Sequence, residues 1–315
     1  MNNLEKSTTN KGKILITIAG PTAVGKTDLC LQLAKELNAD IFSADSRQLY
    51  KELTIGTAKP SEEELSEINH HFINHISIHD PYNVGMYEEE IDQAFNTYYK
   101  TKDIAILSGG TGLYIKAALE GLDIFPEVDD VIKAKYENLY ESSGLTPLQE
   151  AIRLKDPEYA KQVDLSNARR LIRALSVTDS SGSPFSSFLN KKEKKQHIFQ
   201  PISICLTRPR EELYERINLR VDQMIKRGLE KEARDVTLWN HLPSLQTVGY
   251  SELFKFFDGE IKRDEAIELI KRNSRRYAKR QMTWFRNQGN WLFLEADNPS
   301  NLNIIIDKIR LMSKN

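Results

Sequence analysis

Apolar positions along the chain follow two periods. The run ILITIAG (14–20) is continuously apolar, rich in β-branched residues, and stops at Gly20-Pro21, which predicts a buried strand. Behind it, Leu29, Leu33 and Leu37 recur four residues apart and predict a helix with one apolar face. DIFSADS (40–46) predicts a second strand that ends in polar residues. DIAILSGG (103–110) predicts a third, running into a glycine turn and the helical stretch LYIKAALEG (113–121). Strands alternating with helices predict an α/β fold, a parallel sheet flanked by helices on both faces. In such sheets ligands collect beyond the carboxyl ends of the strands. The polar groups there are residues 20–27, 45–48 and 108–112, and they are expected to converge.

After Gly121 the character changes. Residues 127–200 are charged and helical in pattern, with a loop-like stretch TDSSGSPFSS (178–187) and a basic run at 191–195. PISICL (201–206) returns to strand, and 209–239 and 260–288 read as long helices. The expected layout is a solvated tail (1–13), a catalytic core (14–120 and 200–315) and a helical insertion (121–199). No internal repeat is present.

Composition narrows the class. The chain has 315 residues, which suits about two domains. Lys plus Arg total 44 and Asp plus Glu 45, a formal net charge of −1, so a wholly basic coat for nucleic acid is excluded while a local basic groove is not. No apolar run approaches the ~18 to 20 residues of a membrane span, and the opening MNNLEKSTTNKGK has no secretory apolar stretch. Cys30 and Cys205 form neither a disulfide framework nor a zinc-ligand pattern. A soluble, reduced, cytoplasmic enzyme, with no membrane partner, is the expectation.

The strongest chemical signal is GPTAVGKT (20–27), which fits G-x-x-x-x-G-K-[ST] between a strand and a helix. Gly20, Pro21, Thr22, Ala23, Val24 and Gly25 form the expected phosphate-binding loop, whose backbone N–H groups (Pro21 has none) would turn around phosphate oxygens. The helix N-terminus adds partial positive charge. Lys26 supplies a mobile full charge, and Thr27 a hydroxyl for a magnesium ion carried by the phosphates. The motif specifies a di- or triphosphate but not the molecule bearing it. An ATPase would show an acidic residue at the end of an apolar strand. Here IAILSGG offers Ser108, and Asp103 lies at the wrong end.

Asp45 has two readings, a general base facing the phosphate site or a turn or cap aspartate. SGGTGLY (108–114) is a second glycine turn, in which Thr111 is either a hydroxyl for a phosphate oxygen or a helix cap. KRNSRRYAKRQMTWFR (271–286) carries seven Lys or Arg and no acid. Arg272, Arg276, Lys279 and Arg286 share a face, and aromatics are interleaved. That favours polyanion contact, such as RNA, over an ordinary solvated face. Arg169, Arg170 and Arg173 form a second cluster, whereas KKEKK (191–195) reads as a solvated loop. His70, His71, His75 and His79 lack a Cys or paired acid that would complete a metal site, and the neighbouring isoleucines suggest a partly extended segment.

Taken together these segments resemble the tRNA dimethylallyltransferase family, the tRNA isopentenyltransferases. The resemblance spans about 14–293 and rests on GPTAVGKT (20–27), SADSRQLY (43–50), IGTAKP (55–60), HHFIN (70–74), LSGGTGLY (107–114), ARRLIRAL (168–175), LYERINLRVDQMIKRGLEKE (213–232), TVGYSEL (247–253) and RRYAKRQMTWFR (275–286). It implies transfer of a dimethylallyl group from dimethylallyl diphosphate to N6 of adenosine 37 beside the tRNA anticodon, by a monomer using magnesium. It also implies that the insertion contacts the anticodon stem-loop and that the adenosine is flipped into the core. The phosphate loop then holds an isoprenoid diphosphate, which accounts for the missing ATPase acid.

Roles follow from the resemblance. Lys26, Thr27 and the loop amides, with Arg220 and less directly Arg208, would stabilise departing diphosphate. Asp45 would take the amine proton, and Thr111 would steady the bridging or leaving oxygen. The segments matching tRNA contacts are Asp45, Ser46, Arg47, Gln48 and Thr111, then Lys133, Arg169, Arg170, Leu171, Ile172 and Arg173. The last segment comprises Lys279, Arg280, Gln281, Met282, Thr283, Trp284, Phe285 and Arg286. The chain departs from the family at Asn74, Lys133, Arg169 and Ser251, where Asp, Arg, Gln and Lys are common. The absence of a eukaryotic-type zinc finger points to the bacterial form. The alternatives are an adenylate isopentenyltransferase, which would need neither the insertion nor the basic helix, and a P-loop kinase or NTPase.

Overall fold

The computed structural model of the chain describes residues 12–191 and 195–312. The expected tail therefore lies outside the described residues up to position 11, and the KKEKK run does so at 192–194. The chain divides into two compact units, Met1–Leu119 with Gln196–Asn315, and Glu120–Lys195.

The first unit opens with β1 (Ile14–Ala19), α1 (Lys26–Leu37), β2 (Ile41–Ser43), α2 (Glu62–Glu67), β3 (His70–His71), α3 (Val84–Tyr98), β4 (Ile104–Gly109) and α4 (Gly112–Leu119). The second unit holds α5 (Asp130–Ser143), α6 (Thr146–Lys155), α7 (Pro157–Ala160) and α8 (Ala168–Ser181). The first resumes with β5 (Gln200–Thr207), α9 (Arg210–Arg227), α10 (Leu229–Asp235), α11 (Tyr250–Phe257), α12 (Arg263–Asn287), β6 (Leu292–Glu295) and α13 (Asn301–Met312). No described helix is long and apolar enough to cross a membrane.

Among the described residues six parallel strands run in the order β3-β2-β4-β1-β5-β6. All six residues of β1 are buried, because β4 and β5 flank it and helices cover both faces; that is why its sequence does not alternate. The order has a direct consequence for chemistry. It sets the loops leaving β2, β4 and β1 side by side at one sheet edge, and the residues after β5 on the far side of the β1 loop.

Several elements differ from expectation. The second strand stops at Ser43: Ala44 N–H still bonds the Ser108 carbonyl at 2.7 Å, but the chain then turns away. The expected helix over 209–239 breaks at Gly228, which has φ +103°, and resumes as α10. The expected loop at 178–187 begins inside α8, whose Gly182 cap is left-handed, and ends in a short 3-10 turn at Phe185–Phe188. β3 and β6 are edge strands of two and four residues, too short and too exposed to carry an apolar run. The helical unit has its own core, including Tyr136, Leu148, Ile152, Leu171 and Phe185.

Candidate active site

The β1 loop curls because Gly20 (φ +148°), Ala23 (φ +63°) and Gly25 (φ +112°) adopt backbone angles that release amides inward. Gly20 also has no room for a side chain, since a Cβ there would sit 2.9 Å from the Leu206 carbonyl of β5. α1 starts directly after Gly25 with no side-chain cap, so its first N–H groups stay available to an anion. Lys26 Nζ donates to the Gly20 and Pro21 carbonyls at 2.9 Å each. Burial pulls its ammonium down to about 8, partly offset by Asp45 and reinforced by Arg220. Thr27, next on the helix, is exposed.

The adjacent β2 and β4 loops interlock. Thr111 N–H donates to the Ala44 carbonyl at 3.2 Å. Its hydroxyl accepts the Ser46 N–H at 3.1 Å and donates to Ser46 Oγ at 3.3 Å. Gly109 packs so closely on Ala44 that any side chain would overlap its carbonyl. Asp45 Oδ1 accepts the Arg47 N–H at 2.9 Å, so the turn reading of this aspartate is correct. Asp45 also lines a cavity of about 800 Å³ that runs from the phosphate loop. Gln48 accepts from Ser43 Oγ at 3.3 Å and donates to the Ala58 carbonyl at 3.1 Å. Arg47 Nη1 donates to the Ser244 carbonyl at 3.0 Å.

Three arginines reach the phosphate loop, one from just after β5 and two from α9. Arg208 Nε donates to Val24 O at 3.2 Å, Arg216 Nε to Ala23 O at 3.0 Å, and Arg220 Nη1 to Thr22 Oγ1 at 3.1 Å. Their charge states separate them. Arg208 is paired with Asp297 and Glu212. Arg220 has no acidic ion-pair partner among the described residues, lines the cavity, and is held below its usual pKa by burial despite the nearby Asp45. Arg216 lines the same cavity, so two of the three guanidiniums border it.

Part of the cavity lining is apolar: Gly56, Val221, Met224, Leu229, Val248 and Ile270 border it, and all but Gly56 pack in one hydrophobic cluster. These residues were not anticipated, because each comes from a different segment and none is chemically unusual. Tyr277 of α12 also lines the cavity. Burial, with Asp45 adding to it, raises the pKa of its phenol.

The α12 segment needs correction. Gln281 is buried: its Oε1 accepts the Thr22 N–H at 2.9 Å and its Nε2 donates to the Gly110 carbonyl at 2.8 Å. It clamps the two glycine turns together at the cavity wall, and does not present its side chain on an exposed helix face. Phe285 is 1% exposed and packs edge-on to Trp284 and Trp291, so its side chain belongs to the core. Trp284 covers Gly112, where a side chain would overlap the indole. Met282 is half-buried. Lys279, Arg280, Thr283 and Arg286 are exposed, as RNA contact requires.

In the helical unit, Leu171 is wholly buried and forms core, another correction. Ile172 is partly buried, while Lys133, Arg169, Arg170 and Arg173 are exposed on α5 and α8. Among the described residues no His/Cys/Asp/Glu cluster suits a metal ion. His71 Nε2 meets Asp40 at 2.8 Å and His75 Nε2 meets Glu90 at 2.7 Å, so these imidazoles have structural partners.

Comparison with known proteins gives one answer. A family model described as IPP transferase matches residues 48–288, which begins after the phosphate loop. A tRNA dimethylallyltransferase of Christiangramia forsetii is 48% identical over 91% of this chain and 94% of its own. That of Flavobacterium johnsoniae is 44% identical over 95% and 99%. The solved tRNA isopentenylpyrophosphate transferase of Bacillus halodurans superposes with a TM-score of 0.71 at 35% identity, covering 96% of this chain and 99% of that one. A eukaryotic dimethylallyltransferase solved acting on tRNA gives 0.77 at 26% identity, covering 95% and 78%.

Proposed function

The chain belongs to the tRNA dimethylallyltransferase family, and from that premise we propose how its own residues prenylate tRNA. The donor is dimethylallyl diphosphate and the acceptor is the N6 amine of an adenine presented by the anticodon stem-loop. The observation that carries this reading is the cavity itself, which joins a phosphate loop, a carboxylate and an apolar end in one space.

The loop amides other than that of Thr22, which Gln281 holds, bind the diphosphate with Lys26 and Arg220, and the dimethylallyl group extends toward Val221, Met224 and Leu229. The adenine nitrogen attacks the allylic carbon as the carbon–oxygen bond to diphosphate breaks. Negative charge grows on the departing oxygens, where fixed amides and two cations stabilise it without reorganising. Asp45 accepts the amine proton, its orientation held by the Arg47 N–H bond on the other oxygen. Thr111, tied to Ser46, steadies the oxygen that leaves. Exposed Thr27 at the start of α1, with no acidic cage nearby, fits a magnesium ion carried mainly by diphosphate and water. Bound there, such an ion neutralises phosphate charge. Lys279, Arg280 and Arg286 attract the RNA backbone, as do Arg169, Arg170 and Arg173 within their own unit.

The test is incubation with labelled dimethylallyl diphosphate and unmodified tRNA, followed by nucleoside analysis. Label is expected on adenosine. Asp45→Asn keeps the turn but loses basicity, so the single-turnover rate is expected to fall by ~10²-fold or more with tRNA affinity intact. Hydrolysis of ATP with no labelled nucleoside would refute the reading.

A further inference from the structure

Glu232 of α10 takes no part in the transfer chemistry, yet its carboxylate is fully engaged. Oε2 accepts the N–H groups of Thr54 at 2.9 Å and Ile55 at 2.8 Å. Oε1 accepts the Gly56 N–H at 2.9 Å and the Tyr250 hydroxyl at 2.6 Å. Three successive amides turned on one acceptor form a nest of the kind that receives anions. Here the chain fills its own nest.

The loop so held is a wall of the cavity. Gly56, Thr57 and Ala58 line it, and so does Leu229, one turn before Glu232 on the same helix. The wall has no slack. A Cβ at Gly56 would lie 2.5 Å from the Tyr250 hydroxyl oxygen, so glycine lets the loop sit directly on that ring. From behind, Gln48 holds the Ala58 carbonyl at 3.1 Å. Lys59 Nζ donates to the Tyr50 carbonyl at 2.5 Å and to Asn74 Oδ1 at 2.6 Å.

We propose that Glu232 is a positioning residue that fixes the depth of the cavity's apolar end and thereby limits the donor to a five-carbon prenyl diphosphate. The inference rests on the function proposed above. The diphosphate is anchored at the phosphate loop, so the distance from that anchor to the wall sets how long a tail fits. Residues 54–58 have no regular secondary structure of their own, and the Glu232 carboxylate supplies the acceptor that their amides would otherwise find in water. Freeing the loop lengthens the space without touching the diphosphate contacts.

The test is a competition between dimethylallyl diphosphate and its ten-carbon homologue, geranyl diphosphate, with unmodified tRNA, the two nucleoside products being separated. Glu232→Gln keeps the shape but sets an amide N–H₂ against donors. Its ratio of ten-carbon to five-carbon product is expected to rise about ten-fold or more. Inhibition by inorganic pyrophosphate and affinity for tRNA should stay as in the wild type, which a general folding defect would not allow. Tyr250→Phe removes a single donor, keeps the ring, and should shift the ratio the same way by less. It serves in place of Glu232→Gln if that variant does not fold. An unchanged ratio in the folded variant overturns the inference alone. A wild-type protein that transfers no five-carbon group overturns the functional reading and this inference with it.

Discussion

Gln281 gives the sharpest contrast between what its segment suggests and what its side chain does. It lies in a basic stretch yet is 8% exposed and joins the Thr22 N–H to the Gly110 carbonyl. Gln281→Ala would orphan one backbone donor and one acceptor. Each costs about 1–3 kcal/mol if left dry. The cavity beside them can admit water, which lowers the sum, so a loss of about 2–3 kcal/mol is expected. The assay is urea unfolding followed by tryptophan fluorescence. Trp239, Trp284 and Trp291 all lie in the sheet-bearing unit, so the signal reports that unit alone. At an m-value of about 2 kcal/mol per molar, the midpoint should fall by about 1 M. Gln281→Glu keeps the acceptor for Thr22 but faces the Gly110 carbonyl with a carboxylate and adds charge beside the diphosphate. Its donor KM should rise with tRNA affinity unchanged. An unaltered midpoint in Gln281→Ala together with weakened tRNA binding would return the residue to the RNA interface and refute this reasoning.

Three further outcomes are expected. Burial holds the Lys26 ammonium down to about 8, so diphosphate binding above that pH is expected to take up a proton. Pyrophosphate affinity should fall as pH rises through that value. Lys26→Met should bind weakly with no such slope, and calorimetry in buffers of different ionisation heat reads both. Arg276→Ala with Lys279→Ala should flatten the salt dependence of tRNA binding, since phosphate contacts release counterions; an unchanged slope assigns them to solvent. Lys59 is buried against two neutral oxygens and held down to about 8, mainly by burial. Between that value and the unfolded pKa of about 10.4 the unfolded chain binds more protons, so stability rises with pH there. Asn74→Asp sets a carboxylate beside the ammonium and should add about 1 kcal/mol at neutral pH, fading as the lysine deprotonates; no gain in melting temperature at pH 7 would contradict this.

The phosphate loop was legible because its requirements are local. Glycines at 20 and 25 meet backbone angles set within eight residues, and the flanking strand and helix announce themselves by period. On α12 and α8 a motif read as a contiguous string misleads. A helix has faces: Ala278, Gln281 and Phe285 recur at three and four residues and are buried, while Lys279, Arg280 and Thr283 between them and Arg286 after them are exposed. Leu171, Ala174 and Leu175 repeat the pattern. The apolar half of the cavity was not legible at all. Gly56, Met224, Leu229 and Val248 are ordinary residues far apart in the chain, and they meet only after α9, α10 and α11 pack behind residues 50–55.

Asp45 can be read from the sequence as a turn residue or as a base, and its geometry makes the two readings compatible. One oxygen is spent on the Arg47 N–H. Among the described residues the other has no hydrogen-bond partner, and the side chain lines the cavity. A free carboxylate at a loop tip would sample several rotamers, whereas one tied through Oδ1 presents Oδ2 in a single orientation. In the proposed mechanism the turn bond is thus what would prepare the base. The same logic extends outward: Thr111 holds Ser46, Gln281 holds Gly110 and Thr22, and the parallel order β2-β4-β1 brings those three turns together in the first place. Catalytic geometry here is a property of strand order, fixed by bonds between loops that are distant in sequence and adjacent in the sheet.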